Sequence, residues 1–419
     1  MTEIRLSSSR TGRLWHAALL CAVCLAPVFL RFGRAGLVGT VELAAVFLGM
    51  AGVASGAALL LGRRVPDIDP VIGRPWMAFL AVGVISMCVS GRFWSALVGE
   101  PSNMLGLSQL LAMTAVALAC GVFASDVRAI LTRYAHWVLL VQSGLAFGQL
   151  SGVVDVAGVG TLPNSTYFGE LMVLLLPWAL SPRSAESRRD SLLRSFAVVL
   201  TLCALAATGS RVALVVSVAW AAWTMYRRRP AGTIARLVVP LLLVLVVAAA
   251  GLVFAGDELR GTMSLQTLGE RPEMWRLGLE AVRERPLVGW GPDGFSAGAT
   301  AVSSVDSIDP SSAITLGQEY ADPHGLPVWV AVSTGVVGLA LFGWFVGAAA
   351  SRLRRLHRNG DDVAPGAWAL AGLTLVLLTA PLAVQIAPFA ALMFGISVLP
   401  DAGGSRAGSA GASSSRLRL

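Results

Sequence analysis

The sequence predicts an all-α polytopic membrane protein with about 12 transmembrane helices and one large external loop containing short helices. Three observations predict it. Hydrophobic residues fill 55% of the 419 positions and charged residues only 13%, well below the charged share of a soluble domain. Apolar runs near the ~20 residues that span a bilayer core recur along the whole chain. All 32 basic residues are arginine, and they gather in alternate connections between the runs.

In chain order the runs lie at about 14–30, 36–61, 75–90, 104–123, 129–150, 166–180, 192–207, 212–226, 235–255, 326–350, 366–382 and 384–399. Lipid cannot satisfy free backbone N–H and C=O groups, so each run is expected to be a helix. The sixth is short, and the last two are joined so closely that one bent or re-entrant segment is the alternative. Arg5, Arg10 and Arg13 ahead of the first run resemble a secretory signal, but no small-x-small cleavage site closes that run before Arg31, so it is expected to stay as the first span.

Taking every second connection as cytoplasmic places 23 of the 32 arginines inside, among them Arg63, Arg64, Arg128, Arg228 and Arg355. The positive-inside rule then puts both termini in the cytoplasm. The formal net charge of +8 therefore reflects topology. A nucleic-acid partner, which would call for a clustered basic face with stacking aromatics, is not expected. The five cysteines all fall in predicted spans, and the Cys21 and Cys24 pair reads as small apolar packing residues inside a helix.

The expected layout is spans one to nine over 1–255, an external loop over 256–325, spans ten to twelve over 326–400, and a disordered cytoplasmic tail over 401–419 rich in Gly, Ala and Ser. A loop of that length in a compact protein usually carries function. Within it, Arg271-Pro272-Glu273-Met274-Trp275 is expected to begin a helix, with proline at the first position. Trp275, Leu279 and Val282 would form one apolar face, and Pro286 would end the helix. Arg271 at such a start could meet an anion; as a solvated surface arginine it would meet water.

Gly289-Trp290-Gly291-Pro292-Asp293-Gly294 matches G-x-G-x-x-G in form, but no strand precedes it, so it reads as a glycine-rich turn rather than a dinucleotide site. Among the four histidines only His324, in Asp322-Pro323-His324-Gly325, is expected on the outer face, with Glu319 and Asp322 nearby. A neutral imidazole can take a proton from a hydroxyl; the plainer role is to cap the next helix. Arg211 sits in the outer turn Thr208-Gly209-Ser210-Arg211, where either a lipid phosphate or ordinary headgroups would partner it. Glu170, inside the short sixth span, is a further intramembrane acid.

Three segments together carry a resemblance: Leu162-Pro163-Asn164 ahead of a span ending in Leu176-Pro177; Thr208-Gly209-Ser210-Arg211 opening a span; and Gly269-Glu270-Arg271 with Trp275 running into Arg285-Pro286-Leu287-Val288-Gly289-Trp290-Gly291-Pro292. His324 then precedes a span containing Gly335-Val336-Val337-Gly338. In this order, over about 162–341, the chain resembles the O-antigen ligase and O-antigen polymerase family of bacterial surface-glycan enzymes. One position departs from the family pattern, since Gly325 follows the histidine where the family usually has Asn.

The resemblance implies a metal-independent, inverting glycosyltransferase, multi-pass in the bacterial inner membrane, whose external loop is catalytic. It implies an undecaprenyl-pyrophosphate-linked glycan as donor, a glycan or lipid acceptor, and no cofactor. His324 is implied as the catalytic group, and Arg211, Arg271, Arg276, Asn164, Trp275 and Asp322 as substrate-binding. The alternative class is a multi-span transporter or flippase of lipid-linked glycans, which would carry polar residues along a central path. Ligase and polymerase stay open, since both use the same donor.

Overall fold

The computed structural model describes residues 10–29, 37–62, 68–101, 103–154, 159–181, 187–228, 266–303, 323–359 and 364–399. Among these residues regular structure is helical, apart from one isolated bridge between Val159 and Leu162. The helices are α1 (Arg10–Phe29), α2 (Leu37–Gly62), α3 (Pro70–Val89), α4 (Phe93–Val98), α5 (Leu107–Val122), α6 (Ala124–Leu150), α7 (Ser165–Ala179), α8 (Arg188–Ala207) and α9 (Arg211–Arg228). After them come α10 (Gln266–Glu284), α11 (Phe295–Val302), α12 (Leu326–Arg358), α13 (Ala364–Leu377) and α14 (Ala387–Val398).

Eleven of the twelve predicted runs coincide with helices; the ninth, and the tail over 401–419, lie outside the described residues. Among the described residues three helices, α3, α8 and α12, are each long and apolar enough to cross a membrane. The fourth and fifth runs differ from expectation, because α5 and α6 meet at Phe123 with a bend of 92°.

Helix α7 is the centre of the main core. Its leucine-rich stretch from Phe168 to Ala179 is buried on all sides, which is what an all-round apolar helix requires. Asn164 caps its first turn by accepting from the Tyr167 N–H at 3.0 Å. Side chains of α6, α8, α13 and α14 close around it. A second core joins α10 and α11 to α3 and the first turns of α12 through Phe79, Met274, Leu277, Phe295, Trp329 and Val332.

The helix predicted at Arg271 begins earlier than expected, at Gln266. Pro272 therefore lies within α10 rather than at its first position, and Arg271 stands beyond the four leading N–H groups of a helix start. Its buried face also differs. Met274, Leu277, Gly278 and Ala281 point inward, whereas Trp275 and Leu279 are exposed. Small residues win because α12 comes close here: a Cβ on Gly278 would stand 2.5 Å from the Val328 side chain.

Helix α12 is not continuous. Gly335 has φ 69° and ψ −173°, a backbone that breaks the helical ladder and that L side chains rarely adopt. Three backbone groups at the break are met from outside. Trp290 N–H donates to the Val332 carbonyl at 2.9 Å, Gly291 N–H donates to the Ser333 carbonyl at 3.0 Å, and Val336 N–H donates to the Pro286 carbonyl at 2.8 Å. The Ser86 hydroxyl adds a bond to the Ser333 carbonyl at 2.9 Å and accepts from Gly291 N–H at 3.0 Å. Buried backbone groups must be paired, so the glycine-rich turn is the other half of the α12 break. A side chain on Gly289 would collide with the Val332 carbonyl, 2.4 Å from its Cβ.

Candidate functional site

His324 stands just ahead of α12, half-buried, with φ 49°. A non-glycine residue in that left-handed region stores strain, and such residues concentrate at functional sites. The following Gly325 is buried, and a Cβ built on it would lie 3.4 Å from Trp275 Nε1 and 3.2 Å from the Leu378 carbonyl oxygen. The structure thus brings Trp275 of α10 and the residue after α13 together at Gly325, the residue that follows the predicted histidine.

Arg211 is exposed and opens α9. The turn that presents it is a Schellman cap of α8: Gly209 at φ 72° is the left-handed residue, Ser210 N–H donates to the Leu205 carbonyl and Gly209 N–H to the Ala206 carbonyl. Ser210 packs directly on Gly169 of α7. The next residue, Glu170, is wholly buried and accepts from Ala383 N–H at 3.4 Å. Residues 378–386 therefore bridge the two groups of candidates, touching Gly325 through Leu378 and α7 through Ala383.

The remaining candidates divide. Asn164 is exposed, with its side-chain oxygen engaged in capping α7. Arg276 donates to Glu280 at 2.7 Å across one turn of α10. Arg271 belongs to α10, but its side chain lies outside the described residues, as do Glu319 and Asp322 altogether.

An apolar groove of about 380 Å³ runs between α3, α5, α12, α13 and α14. Ile68, Ile72, Leu353 and Leu399 line one end, and Leu326, Trp329, Leu377 and Leu382 line the other. The second end adjoins Gly325: its lining residue Leu326 follows Gly325 in the chain, and its lining residue Leu377 precedes Leu378, whose carbonyl faces Gly325.

Sequence reasoning missed Asp293. It lies in the turn read only for its glycines, it is buried, and it has φ 56°. Its carboxyl accepts from Glu100 N–H at 2.7 Å, from Leu105 N–H at 3.2 Å and from Trp329 Nε1 at 3.1 Å. Burial pushes the Asp293 carboxyl up to about 7, against those three donors, which pull it down. Beside it, Arg285 stacks over the Trp290 ring at 4.1 Å and donates to the Ser90 carbonyl at 3.3 Å, while Arg92 pairs with Glu100. The signal available in sequence was a charged residue inside a turn whose other members are glycine, proline and tryptophan.

With this geometry in place, residues 196–343 match the family model described as O-Antigen ligase. Over that stretch the chain is similar to the O-antigen ligase family. The matched stretch, about a third of the chain, takes in α9, α10, α11, the α12 break, Arg211, Trp275 and His324. No curated protein matches the chain. The apolar helices and this match are those of an integral membrane protein.

Proposed function

We propose that the protein transfers a glycan from a polyprenyl-pyrophosphate carrier to an acceptor hydroxyl at the outer face of the membrane. The observation that carries this reading is the apolar groove ending beside His324 in a chain similar to the O-antigen ligase family over residues 196–343. The groove suits a polyprenyl tail, with the headgroup emerging near Gly325. In the reaction the acceptor oxygen attacks the anomeric carbon, and the bond from that carbon to the pyrophosphate oxygen breaks. The lipid pyrophosphate leaves, and the acceptor proton passes to His324.

Arg211 and Arg271 take the pyrophosphate in this account. Charge-assisted hydrogen bonds of about 1.5–3 kcal/mol each would strengthen as negative charge grows on the leaving group. Such a donor arrives already activated, so the step asks for no nucleotide. Two sets of contacts support a sided molecule of twelve spans with the loop outside. Asp69 pairs with Arg352 and Arg355, joining connections that the charge pattern assigns to the cytoplasm. Asp293 joins the α3–α5 connection to the 286–294 turn, both assigned to the outside.

The test is purified full-length protein in lipid vesicles supplied with a polyprenyl-pyrophosphate glycan, with products read by mass spectrometry. Glycan covalently joined to an acceptor, with free lipid pyrophosphate released, is the expected result. Intact donor moved between leaflets with no bond broken would replace the transferase by a flippase.

A further inference from the structure

The apolar groove is built for hydrocarbon. Among the described residues none of the side chains lining it is charged, and those with a hydroxyl or an indole N–H spend that donor inside the protein. Trp76 Nε1 donates to the Thr114 hydroxyl at 3.0 Å, and that hydroxyl donates to the Leu110 carbonyl at 2.8 Å. The Thr374 hydroxyl donates to the Leu370 carbonyl at 2.8 Å, and Trp329 Nε1 to Asp293 at 3.1 Å. No lining donor is left for a headgroup, so the fitting occupant is a chain.

In a bilayer, apolar character by itself selects nothing. Phospholipid chains surround the protein in excess and are as apolar as the lining, so moving a chain from lipid into the groove gains little from the hydrophobic effect. What tells one chain from another is the fit of its surface against the wall. Between the two ends of the groove that wall is aromatic. Trp76 of α3, Phe342 and Phe345 of α12 and Phe394 of α14 line it half-buried. The Phe345 ring lies 4.7 Å from that of Trp76, 5.2 Å from Phe394 and 6.2 Å from Phe342, with planes tilted by 39°, 32° and 41°. Phe79, almost wholly buried, completes the cluster at 5.5 Å from both Trp76 and Phe342.

We infer that this aromatic wall selects the donor by its chain, an inference resting on the reading that the groove holds the polyprenyl carrier. Each isoprene unit has a flat double bond and a methyl branch. The double bond lies against a ring face, and the branch enters the angle between two tilted rings. A straight saturated acyl chain has neither feature and brings fewer atoms into contact. Trp76, Phe342, Phe345 and Phe394 are thus specificity-determining. The units they read are internal to the chain, since the headgroup emerges beyond them, near Gly325.

The experiment measures chain binding to the full-length protein in detergent micelles by native mass spectrometry. Probes are a long polyprenyl monophosphate, its fully hydrogenated counterpart, which keeps the branches, and a straight-chain alkyl monophosphate of equal carbon number. Wild type should bind the polyprenyl probe about 10- to 100-fold more tightly than the straight chain, with the hydrogenated chain between them. Phe345→Leu stays apolar but removes the ring that meets the other three, and it should erase most of that difference; Phe394→Leu, at the edge of the cluster, should erase part of it. Equal wild-type affinity for the unsaturated and hydrogenated chains, or a preference undiminished in both variants, overturns the inference. Glycan transfer by a wild type that binds all three chains alike overturns the chain selection and spares the transferase. Chain preference without transfer does the reverse.

Discussion

Two carboxylates at opposite ends of α3 are held in opposite ways. Asp69 caps the helix start, accepting from Val71 N–H, and takes Arg352 at 3.1 Å and Arg355 at 3.0 Å. Asp293, packed beyond the other end, is buried and meets only backbone N–H groups and an indole; among the described residues no cation pairs with it. The first arrangement is a solvated clamp, of the kind worth little per pair. The second is a dry junction in which every donor depends on one acceptor, and losing it strands them all. That junction also fixes Trp329, five residues beyond His324, so the end of the molecule with candidate chemistry is the one built from buried, mutually dependent contacts.

The contrast sharpens first at the α12 break. Gly335→Ala would force a left-handed backbone onto an L residue and press its methyl 2.4 Å from the Leu287 carbonyl. The expected loss is about 2–5 kcal/mol, combining strain and overpacking, read as thermal unfolding in detergent. Gly347→Ala, farther along the same helix with nothing within 4 Å, should melt like wild type. Equal behaviour of the two would mean the break is not the fastening point.

Next comes the buried acid. Asp293→Ala should lower stability by about 3 kcal/mol, because buried donors lose their acceptor. The pH dependence has a definite sign. The carboxyl binds its proton more tightly in the folded protein than in the unfolded chain, so its contribution is complete below 3.8 and fades as pH rises through about 7. The melting temperature of wild type should therefore fall relative to Asp293→Asn across that window. Parallel profiles would show that the carboxyl does not titrate there. At the opposite end, Arg355→Ala should cost at most about 1 kcal/mol, since Arg355 is exposed and Arg352 still holds Asp69. A loss matching that of Asp293→Ala would erase the distinction between the two ends.

Much of the helical framework was legible in the sequence because lipid-length apolar runs leave few alternatives. What escaped was every feature that depends on a distant partner. The run from 326 to 350 reads as one helix, and nothing local marks Gly335 as a break; the partners that make it tolerable are Pro286, Trp290 and Gly291. Asp293 was hidden among glycines because its donors come from Glu100, Leu105 and Trp329. Pro272 suggested a helix start, but α10 runs through it, and the large apolar residues Trp275 and Leu279 drew attention away from the small ones that pack. His324 and Trp275 were named through the family resemblance, and their common neighbourhood at Gly325 is a fact of the fold that spacing could not supply. The side chain of Arg271, and Asp322, lie outside the described residues, so their roles rest on the resemblance.

The central claim is that His324 serves the acceptor hydroxyl rather than the lipid carrier. It is tested by comparing His324→Ala with wild type in vesicles, measuring single-turnover glycan transfer and, separately, binding of the polyprenyl-pyrophosphate donor. The account predicts transfer slower by about 100- to 10,000-fold with donor affinity little changed. Transfer at the wild-type rate, or donor binding lost together with transfer, would contradict it.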